Sequence, residues 1–268
     1  MMRNTIILTV HNKEKTIVRI LNELIKNTSK KTERIIIILD GCTDNTYKKI
    51  NDFAKIKNSR MKIDIIFTND IWETKANNLG LKEVQTQYAT IVQDDMLIKQ
   101  KNWDKLLIEK LANNNVFSIS GRAAYNYKLK RNELIIENII GREYPFSNKN
   151  IFGKIVGKLF AIFKPYWLFK YFSLFSVRLI NNRGPLVLKI NLVRELGFFD
   201  EKFAPFELDD ADLCFRAFKK YGLYSSCLPI YYEEINGSKK NSLNSSLMSE
   251  SCIAKNSALL ISKHRDLL

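Results

Sequence analysis

Two groups of acidic side chains have the types and spacing that metal and proton chemistry require. The first, Gln93-Asp94-Asp95-Met96, follows a short apolar run that predicts a buried strand. Carboxylate oxygens at a strand end suit Mg²⁺ or Mn²⁺ bound through one carboxylate, with phosphates and water completing the octahedron. Aspartate is also common in the turns that follow strands, so a turn alone would explain this pair.

The second group, Leu208-Asp209-Asp210-Ala211-Asp212, opens a predicted helix. Helix capping and the helix dipole account for one or two of these acids. Arg216 follows Asp212 by four positions, so an ordinary i,i+4 pair explains Asp212. A carboxylate fixed at a helix end stays ionised at neutral pH, and this group therefore includes a candidate general base.

A third candidate, Asp40-Gly41-Cys42-Thr43-Asp44, follows another apolar run. A turn whose aspartate accepts backbone amides explains Asp44 fully. Asp40 lies at the end of the predicted strand, where ligands collect in open α/β sheets, and it is better placed to meet one.

These acids need a framework that gathers strand ends at one edge, and residues 5–120 supply it. Continuous apolar runs such as 34–39 are typical of parallel strands buried on both faces. Strands that alternate with helices predict right-handed βαβ units and a mainly parallel sheet. The predicted strands are 5–10, 34–39, 61–68, 88–93 and 116–120, and the predicted helices are 15–27, 46–56, 75–84 and 103–112. No G-x-G-x-x-G or Walker motif occurs, so a nicotinamide, flavin or P-loop nucleotide site is not expected.

Composition narrows the class of protein. The chain has 268 residues, 46% of them hydrophobic, as a globular α/β domain requires. Its four cysteines form no C-x-x-C pair, which indicates neither zinc nor a disulfide framework and favours a reducing compartment. The net charge of +15 would suit a polyanion, but we rank evenly scattered, solvated lysines first. No nucleic-acid-binding signature is present, so a nucleic acid partner is not expected.

The segment 151–179 differs from the rest because it is aromatic, aliphatic and basic. Its lysines and Pro165 interrupt it too often for a transmembrane helix, which needs about 20 mostly apolar residues. Two interpretations stay open. The segment forms interfacial helices on an anionic bilayer, or a helix pair that covers the core or contacts another subunit.

The order of motifs resembles the family 2 inverting glycosyltransferases of the GT-A fold, over residues 5–230 apart from this insertion. The matching motifs are Thr9-Val10-His11-Asn12, Leu39-Asp40-Gly41-Cys42-Thr43-Asp44, Ala76-Asn77-Asn78-Leu79-Gly80, Gln93-Asp94-Asp95, Gly197-Phe198-Phe199-Asp200-Glu201 and Asp209-Asp210-Ala211-Asp212-Leu213. The resemblance implies an α/β, Rossmann-like, mainly parallel sheet flanked by helices, with 151–179 as a helical insertion. It also implies one domain at 1–240, with a nucleotide-binding half at 1–122 and an acceptor half at 181–240, followed by a C-terminal helix at 241–268.

The resemblance assigns roles position by position. Asp210 would be the general base, with Asp209 replacing the glutamate beside it, and these two are the predicted catalytic residues. Asp95 would hold the metal. Asp40 would contact the base of the donor nucleotide and Asp94 its ribose hydroxyls. The predicted donor-binding residues are Thr9, His11, Asn12, Asp40, Glu73, Lys75, Asn78, Asp94 and Arg183.

Two departures affect the predicted metal site. Gln93 occupies the first position of the family's D-x-D motif, and the late histidine that often completes the site has no counterpart. Tyr231-Tyr232-Glu233-Glu234 stands there instead, so Glu233 is the second predicted metal ligand.

The implied function is transfer of a sugar from a nucleoside diphosphate sugar, UDP-linked, to a hydroxyl of a glycan or lipid-linked acceptor. Inversion, assistance by Mn²⁺ or Mg²⁺ and a place in polysaccharide biosynthesis belong to the same expectation. The alternative is a non-catalytic nucleotide-sugar or carbohydrate binding protein of the same fold. The expected location is cytoplasmic, at the inner face of the plasma membrane if 151–179 contacts lipid, and an oligomer is compatible with either function.

Overall fold

The computed structural model describes residues 2–56, 61–122, 124–136, 175–235 and 243–268. The strands in these ranges are β1 (Asn4–Val10), β2 (Thr32–Asp40), β3 (Lys62–Thr68), β4 (Tyr88–Val92), β5 (Met96–Ile98), β6 (Val116–Ser120), β7 (Ala124–Tyr125), β8 (Tyr127–Lys130), β9 (Glu133–Ile136), β10 (Ser176–Arg178), β11 (Ile180–Asn181), β12 (Leu186–Lys189), β13 (Tyr224–Cys227) and β14 (Tyr232–Glu234). The helices are α1 (Ile17–Asn27), α2 (Thr46–Ile56), α3 (Trp72–Lys82), α4 (Trp103–Asn113), α5 (Ile190–Glu195), α6 (Asp209–Tyr221) and α7 (Leu243–His264).

Eight of these strands form one sheet in the order β10-β13-β6-β12-β4-β1-β2-β3. β1 pairs in parallel with both β2 and β4, and β2 pairs in parallel with β3. β12 is antiparallel to its neighbours β4 and β6, so a strand from the second half of the chain lies inside the sheet. The predicted, mainly parallel α/β sheet is confirmed, and the carboxyl ends of β1, β2 and β4 lie at one edge.

Helices cover both faces of the sheet because its strands are apolar on both sides. One buried cluster joins the sheet to α1, α2 and α4 through residues such as Leu21, Phe53 and Trp103. The opposite cluster joins it to α3, α5 and α6 through residues such as Leu81 and Leu213. This packing fixes the strand ends and the start of α6 relative to one another.

Each element predicted within residues 5–120 is present, and the clearest difference is that α3 begins at Trp72 rather than at residue 75. The reason is a long-range interaction. Asp40, at the end of β2, accepts hydrogen bonds from the backbone amides of Ile71 (2.8 Å) and Trp72 (2.8 Å). A distant carboxylate thus satisfies amides that the first turn of a helix leaves unpaired.

Most of the predicted helical insertion, residues 151–174, lies outside the described residues. Its last part is not helical, because Ser176–Arg178 forms β10, an edge strand antiparallel to β13. The predicted C-terminal helix is confirmed as α7. Within the described ranges, no helix has the length and apolar character needed to cross a membrane.

Candidate active site

The carboxyl ends of β1, β2 and β4 bring His11, Asp40 and Asp94 together. The His11 backbone N–H donates to Oδ2 of Asp94 (3.2 Å), and His11 Nδ1 lies 2.6 Å from the Asp40 carbonyl oxygen. Nζ of Lys13 lies 3.2 Å from the other Asp94 oxygen. Burial raises the pKa of Asp94, and Lys13 opposes that effect. Three residues from separate elements therefore form a single polar edge, which we call the strand-end site.

Other predicted donor-binding residues surround this site. The Thr9 hydroxyl donates to Oδ1 of Asn77 (3.1 Å). Asn12 has a positive φ of 49°, and its side-chain oxygen accepts from the Thr43 backbone N–H (2.8 Å). Asparagine tolerates this left-handed conformation better than most residues, so Asn12 can make the tight turn after β1. The turn leaves both Asn12 and His11 exposed at the rim.

Asp40 is engaged within the protein. It is only 4% exposed, and besides the amides before α3 its carboxylate accepts from the Thr68 hydroxyl (2.7 Å). Both carboxylate oxygens therefore have partners. Asp40 shapes the wall of the strand-end site, and its contact with a nucleotide base stays a prediction.

The second acidic group is organised around Arg183. Its guanidinium binds both carboxylate oxygens of Asp209, with Nη1 3.1 Å from Oδ2 and Nη2 2.7 Å from Oδ1. Its Nε lies 3.5 Å from Oε1 of Glu73, at the start of α3. Burial alone would lower the pKa of Arg183, but Asp209 and Glu73 raise it above its usual value. Arg183 is therefore a buried cation, as an interior bidentate pair requires.

This geometry corrects the role predicted for Asp209. The residue is fully buried, and its carboxylate is used by Arg183 and by the Asp210 backbone N–H (3.0 Å). A carboxylate closed off in this way cannot take a proton from a substrate. Asp209 instead fixes Arg183 and the first turn of α6.

Asp210 is placed differently although it is the next residue. One of its oxygens accepts from the Ala211 N–H (2.8 Å) and the other from the Arg183 backbone N–H (3.2 Å). Burial raises the pKa of Asp210 to about 7, Arg183 opposes the rise, and Asp209 adds to it. The residue is 8% exposed, so Asp210 is not completely closed to solvent. A fixed carboxylate with a pKa near neutrality can exchange a proton with a bound hydroxyl group.

A model of the family described as glycosyl transferase family 2 matches residues 5–175, which is more than half of the chain. The chain belongs to glycosyltransferase family 2. TarS, a poly(ribitol-phosphate) beta-N-acetylglucosaminyltransferase, is 29% identical over 102 residues in Staphylococcus aureus strains Mu50 and MW2. That match covers 38% of this chain and 18% of the relative, so it spans less than a fifth of the relative's length.

Solved structures extend the likeness to the fold. The mannosyltransferase PcManGT from Pyrobaculum calidifontis, in complex with GDP-Man and Mn²⁺, superposes with a TM-score of 0.59 at 15% identity, over 89% of this chain and 58% of that one. GalNAc-T7 with UDP, GalNAc and Mn²⁺ gives a TM-score of 0.66 at 12% identity, over 97% of this chain and 48% of that one. The family 2 domain thus has the GT-A fold that its motifs predict.

The two predicted metal ligands of this family 2 domain, Asp95 and Glu233, have different surroundings. No described residue donates a hydrogen bond or forms an ion pair to the half-buried Asp95 carboxylate, whose backbone oxygen accepts from Ile235 N–H (2.7 Å). In the described ranges, no three His, Cys, Asp or Glu side chains converge on a point that could hold a metal ion. Asp95 therefore suits a cation held jointly by one carboxylate and the phosphates of a ligand, which is common for Mg²⁺.

Glu233, the second predicted metal ligand, is engaged by basic side chains, and its metal contact stays a prediction. It lies on β14, and its carboxylate faces α1 and β5, where it pairs with Arg19 Nη2 (4.0 Å) and Lys99 Nζ (3.9 Å). Side chains alternate along a strand, so the neighbouring Glu234 points the other way and meets Arg122 Nη2 (3.3 Å). Arg122 in turn approaches Oε1 of Gln93 (3.4 Å), beside the site.

Asn78 and Lys75 were both predicted to bind the donor. Asn78 is buried, and its side chain both donates to the Phe199 carbonyl (2.9 Å) and accepts from the Phe199 N–H (3.0 Å). Its amide therefore ties α3 to the loop before α6, and we correct its role to positioning. Lys75 is exposed on α3, and no described residue forms an ion pair with it, so its phosphate contact stays a prediction.

Sequence reasoning missed Lys13 and Asn256, and it missed the contact between Gln93 and Gly184. Lys13 balances Asp94, and Gln93 packs against Gly184, where a Cβ atom would lie 2.5 Å from Oε1 of Gln93. With φ at 91°, Gly184 is a position that only glycine fits. Asn256 of α7 is also part of the framework, because its Nδ2 lies 2.7–2.9 Å from three carbonyl oxygens of the loop before α6. Their common signal is contact between distant parts of the chain, which no local motif records.

Proposed function

We propose that this family 2 domain transfers a sugar from a nucleoside diphosphate sugar, UDP-linked, to a hydroxyl of a glycan or lipid-linked acceptor, with inversion. The observation that carries the proposal is Asp210, a nearly buried carboxyl group whose pKa is raised to about 7, chiefly by burial. Its backbone hydrogen bonds fix its direction, and a binding protein has no need of a group poised in this way.

The chemistry is a single displacement. An oxygen of Asp210 accepts the proton of the acceptor hydroxyl while the hydroxyl oxygen attacks the anomeric carbon. The bond from that carbon to the diphosphate breaks, and the nucleoside diphosphate leaves with the electron pair. One attack from the face opposite the leaving group inverts the configuration. A carboxylate with a pKa near the working pH suits this proton transfer, which contributes roughly 10²–10⁴ in rate.

The strand-end site would bind the donor. His11 and Asn12 lie at its rim, Asp94 is balanced by Lys13, and Asp95 would hold Mn²⁺ or Mg²⁺ together with the diphosphate. A divalent cation there would offset the negative charge that develops on the departing diphosphate. The two solved neighbours contain Mn²⁺ with GDP-Man or with UDP, which supports binding of a cation and a nucleotide here. Both guanosine and uridine nucleotides are compatible with that support. We extend the proposal to polysaccharide biosynthesis at the inner face of the plasma membrane, with segment 151–179 contacting lipid.

A second candidate is a nucleotide-sugar or carbohydrate binding protein that does no chemistry. The observation that favours it is that the described residues include no cluster of three side chains able to hold a metal ion, and that Glu233 is paired with Arg19 and Lys99. The two candidates share the donor site and differ in the use of Asp210.

A panel of nucleotide sugars with Mn²⁺ or Mg²⁺ tests both candidates. We expect at least one donor to raise the melting temperature and to be hydrolysed slowly to free nucleoside diphosphate. Stabilisation without any release over many hours would favour the binding protein. If no donor stabilises the chain or releases diphosphate, the transferase and the nucleotide-sugar binding protein both fail, and only a carbohydrate binding protein is left.

A further inference from the structure

Two aromatic side chains form a partly exposed pair between the start of α3 and the loop before α6. Trp72 begins α3, Phe206 lies in the loop before α6, and their ring centroids are 6.1 Å apart with planes inclined by 35°. Trp72 is 39% exposed, which is unusual for the largest apolar side chain. Exposed aromatic surface of this kind needs either a partner or a ligand to cover it.

The backbone of Trp72 is held in a costly conformation. Its φ is 69°, in the left-handed region that bulky side chains rarely adopt. Such a residue persists only where its surroundings fix it, and strained residues of this kind cluster at functional sites. Here the carboxylate of Asp40 binds the Trp72 amide at 2.8 Å and holds it in place.

Phe206 is fixed just as firmly from the other side. Its carbonyl oxygen accepts from Asn256 Nδ2 (2.7 Å) and lies 3.1 Å from Sγ of Cys252, both on α7. The next residues, Glu207 and Leu208, have φ values of 75° and 65° before α6 begins. Left-handed backbone conformations therefore occur at Trp72 and directly after Phe206.

The pair is linked to Asp40 through the Trp72 amide, and it is linked to the candidate general base, Asp210, through Glu73 and Arg183. Glu73 follows Trp72 and pairs with Arg183, whose backbone N–H binds Asp210. Phe206 precedes Asp210 by four residues. A general base touches the hydroxyl that it deprotonates, so surfaces continuous with Asp210 face the acceptor.

The acidic side chains around the pair indicate which class of acceptor it would bind. Glu73 borders Trp72 in the chain, and the exposed Glu207, next to Phe206, is within electrostatic range of Glu73. Carboxylates accept hydrogen bonds from sugar hydroxyls but repel phosphate groups. The C–H faces of a sugar ring pack favourably on the electron-rich face of an aromatic ring.

We propose that Trp72 and Phe206 form an aromatic platform that binds an uncharged sugar ring at the accepting end of the acceptor. The platform rests on the proposed function and sharpens it, because it assigns this subsite to a neutral sugar. A polyol phosphate, the kind of chain that the name of the staphylococcal relative specifies, would bring a negative charge against the exposed Glu207.

The test is saturation-transfer NMR of the full chain, with and without UDP and Mn²⁺. The probes are the methyl glycosides of glucose, galactose and N-acetylglucosamine, with ribitol 5-phosphate as the anionic probe. We expect a neutral glycoside to bind best, and Trp72→Ala and Phe206→Ala to weaken its binding by about three- to tenfold, the value of one aromatic contact. Trp72→Tyr should restore most of it.

The matched control is a second exposed aromatic pair, Tyr47 and Phe67, whose centroids are 5.0 Å apart on α2 and β3. Phe67→Ala should leave glycoside binding unchanged. If Trp72→Ala does not fold, Phe206→Ala and Trp72→Tyr still decide the question.

Three outcomes would overturn the platform: no neutral glycoside binds the wild type, both alanine variants bind it normally, or ribitol 5-phosphate binds more tightly. A loss of UDP affinity in the alanine variants, with glycoside binding intact, would assign the pair to the donor base and also overturn it. Donor hydrolysis by the wild type needs no acceptor, so it tests the proposed function separately. Glycoside binding can therefore be absent while donor hydrolysis is observed, and it can be present while donor hydrolysis is absent.

Discussion

Two pairs of adjacent aspartates face the same crevice, and the fold compensates their charge in opposite ways. At the strand-end site, Asp94 is about a fifth exposed and is balanced by one lysine, while Asp95 keeps its carboxylate available. At the start of α6, Asp209 is fully buried against a bidentate guanidinium, and Asp210 is bound by backbone amides. The open pair, Asp94 and Asp95, can therefore still bind a cation. In the closed pair, Asp209 is occupied in fixing Arg183 and the backbone of Asp210.

The largest expected effect comes from replacing Asp210, the proposed general base. Asp210→Asn keeps the shape of the side chain but cannot accept the proton, so we expect transfer and donor hydrolysis to fall roughly 10²–10⁴-fold. Donor affinity, measured by calorimetry, should change little because the strand-end site is intact. Transfer at a near wild-type rate would remove Asp210 from this role.

The pH profile of the wild type sharpens the same comparison. Burial raises the pKa of Asp210 to about 7, and only its ionised form is a base. We therefore expect kcat/KM to fall about tenfold for each pH unit below 7 and to level off above it. This limb should be missing from the residual activity of Asp210→Asn.

The next largest effect is on the free energy of unfolding, and it compares the open and closed aspartate pairs directly. Arg183→Met leaves the buried Asp209 carboxylate unpaired, and removing one partner of a buried pair costs about 3–5 kcal/mol. The double variant Arg183→Met/Asp209→Leu should recover most of that loss in urea unfolding. Lys13→Met, at the open pair, should cost about 1 kcal/mol or less. Equal losses for Lys13→Met and Arg183→Met would contradict the contrast.

Local patterns predicted the fold well because its strands are continuous apolar runs and its helices are amphipathic. Topology then placed acidic groups at the end of β4 and at the start of α6, and the family resemblance singled out Asp94, Asp95 and Asp210 among them.

Contacts between distant residues were not accessible. Asn78 was matched to a donor contact because no pattern in α3 records its hydrogen bonds to Phe199, 121 residues later. Asp209 was given a catalytic role because its bidentate partner, Arg183, lies 26 positions earlier. Asp212 was paired with Arg216 correctly, but the buried His264 that also binds it (2.8 Å) was missed. Burial raises the pKa of Asp212, yet His264 and Arg216 lower it to about 2.

The smallest expected effect tests whether Asp95 or Glu233 supports the bound cation. Asp95→Ala removes the carboxylate that no described residue engages, and we expect Mn²⁺-dependent nucleotide binding to weaken about tenfold or more, as loss of groups that support a bound metal typically does. Glu233→Gln is the matched control. Its side chain pairs with Arg19 and Lys99 on the opposite face of β14, so calorimetry with Mn²⁺ should show a change of less than about twofold. Without Mn²⁺, both variants should bind nucleotide like the wild type. A larger loss in Glu233→Gln than in Asp95→Ala would mean that Glu233 rather than Asp95 supports the cation, and the strand-end site would then have to include β14.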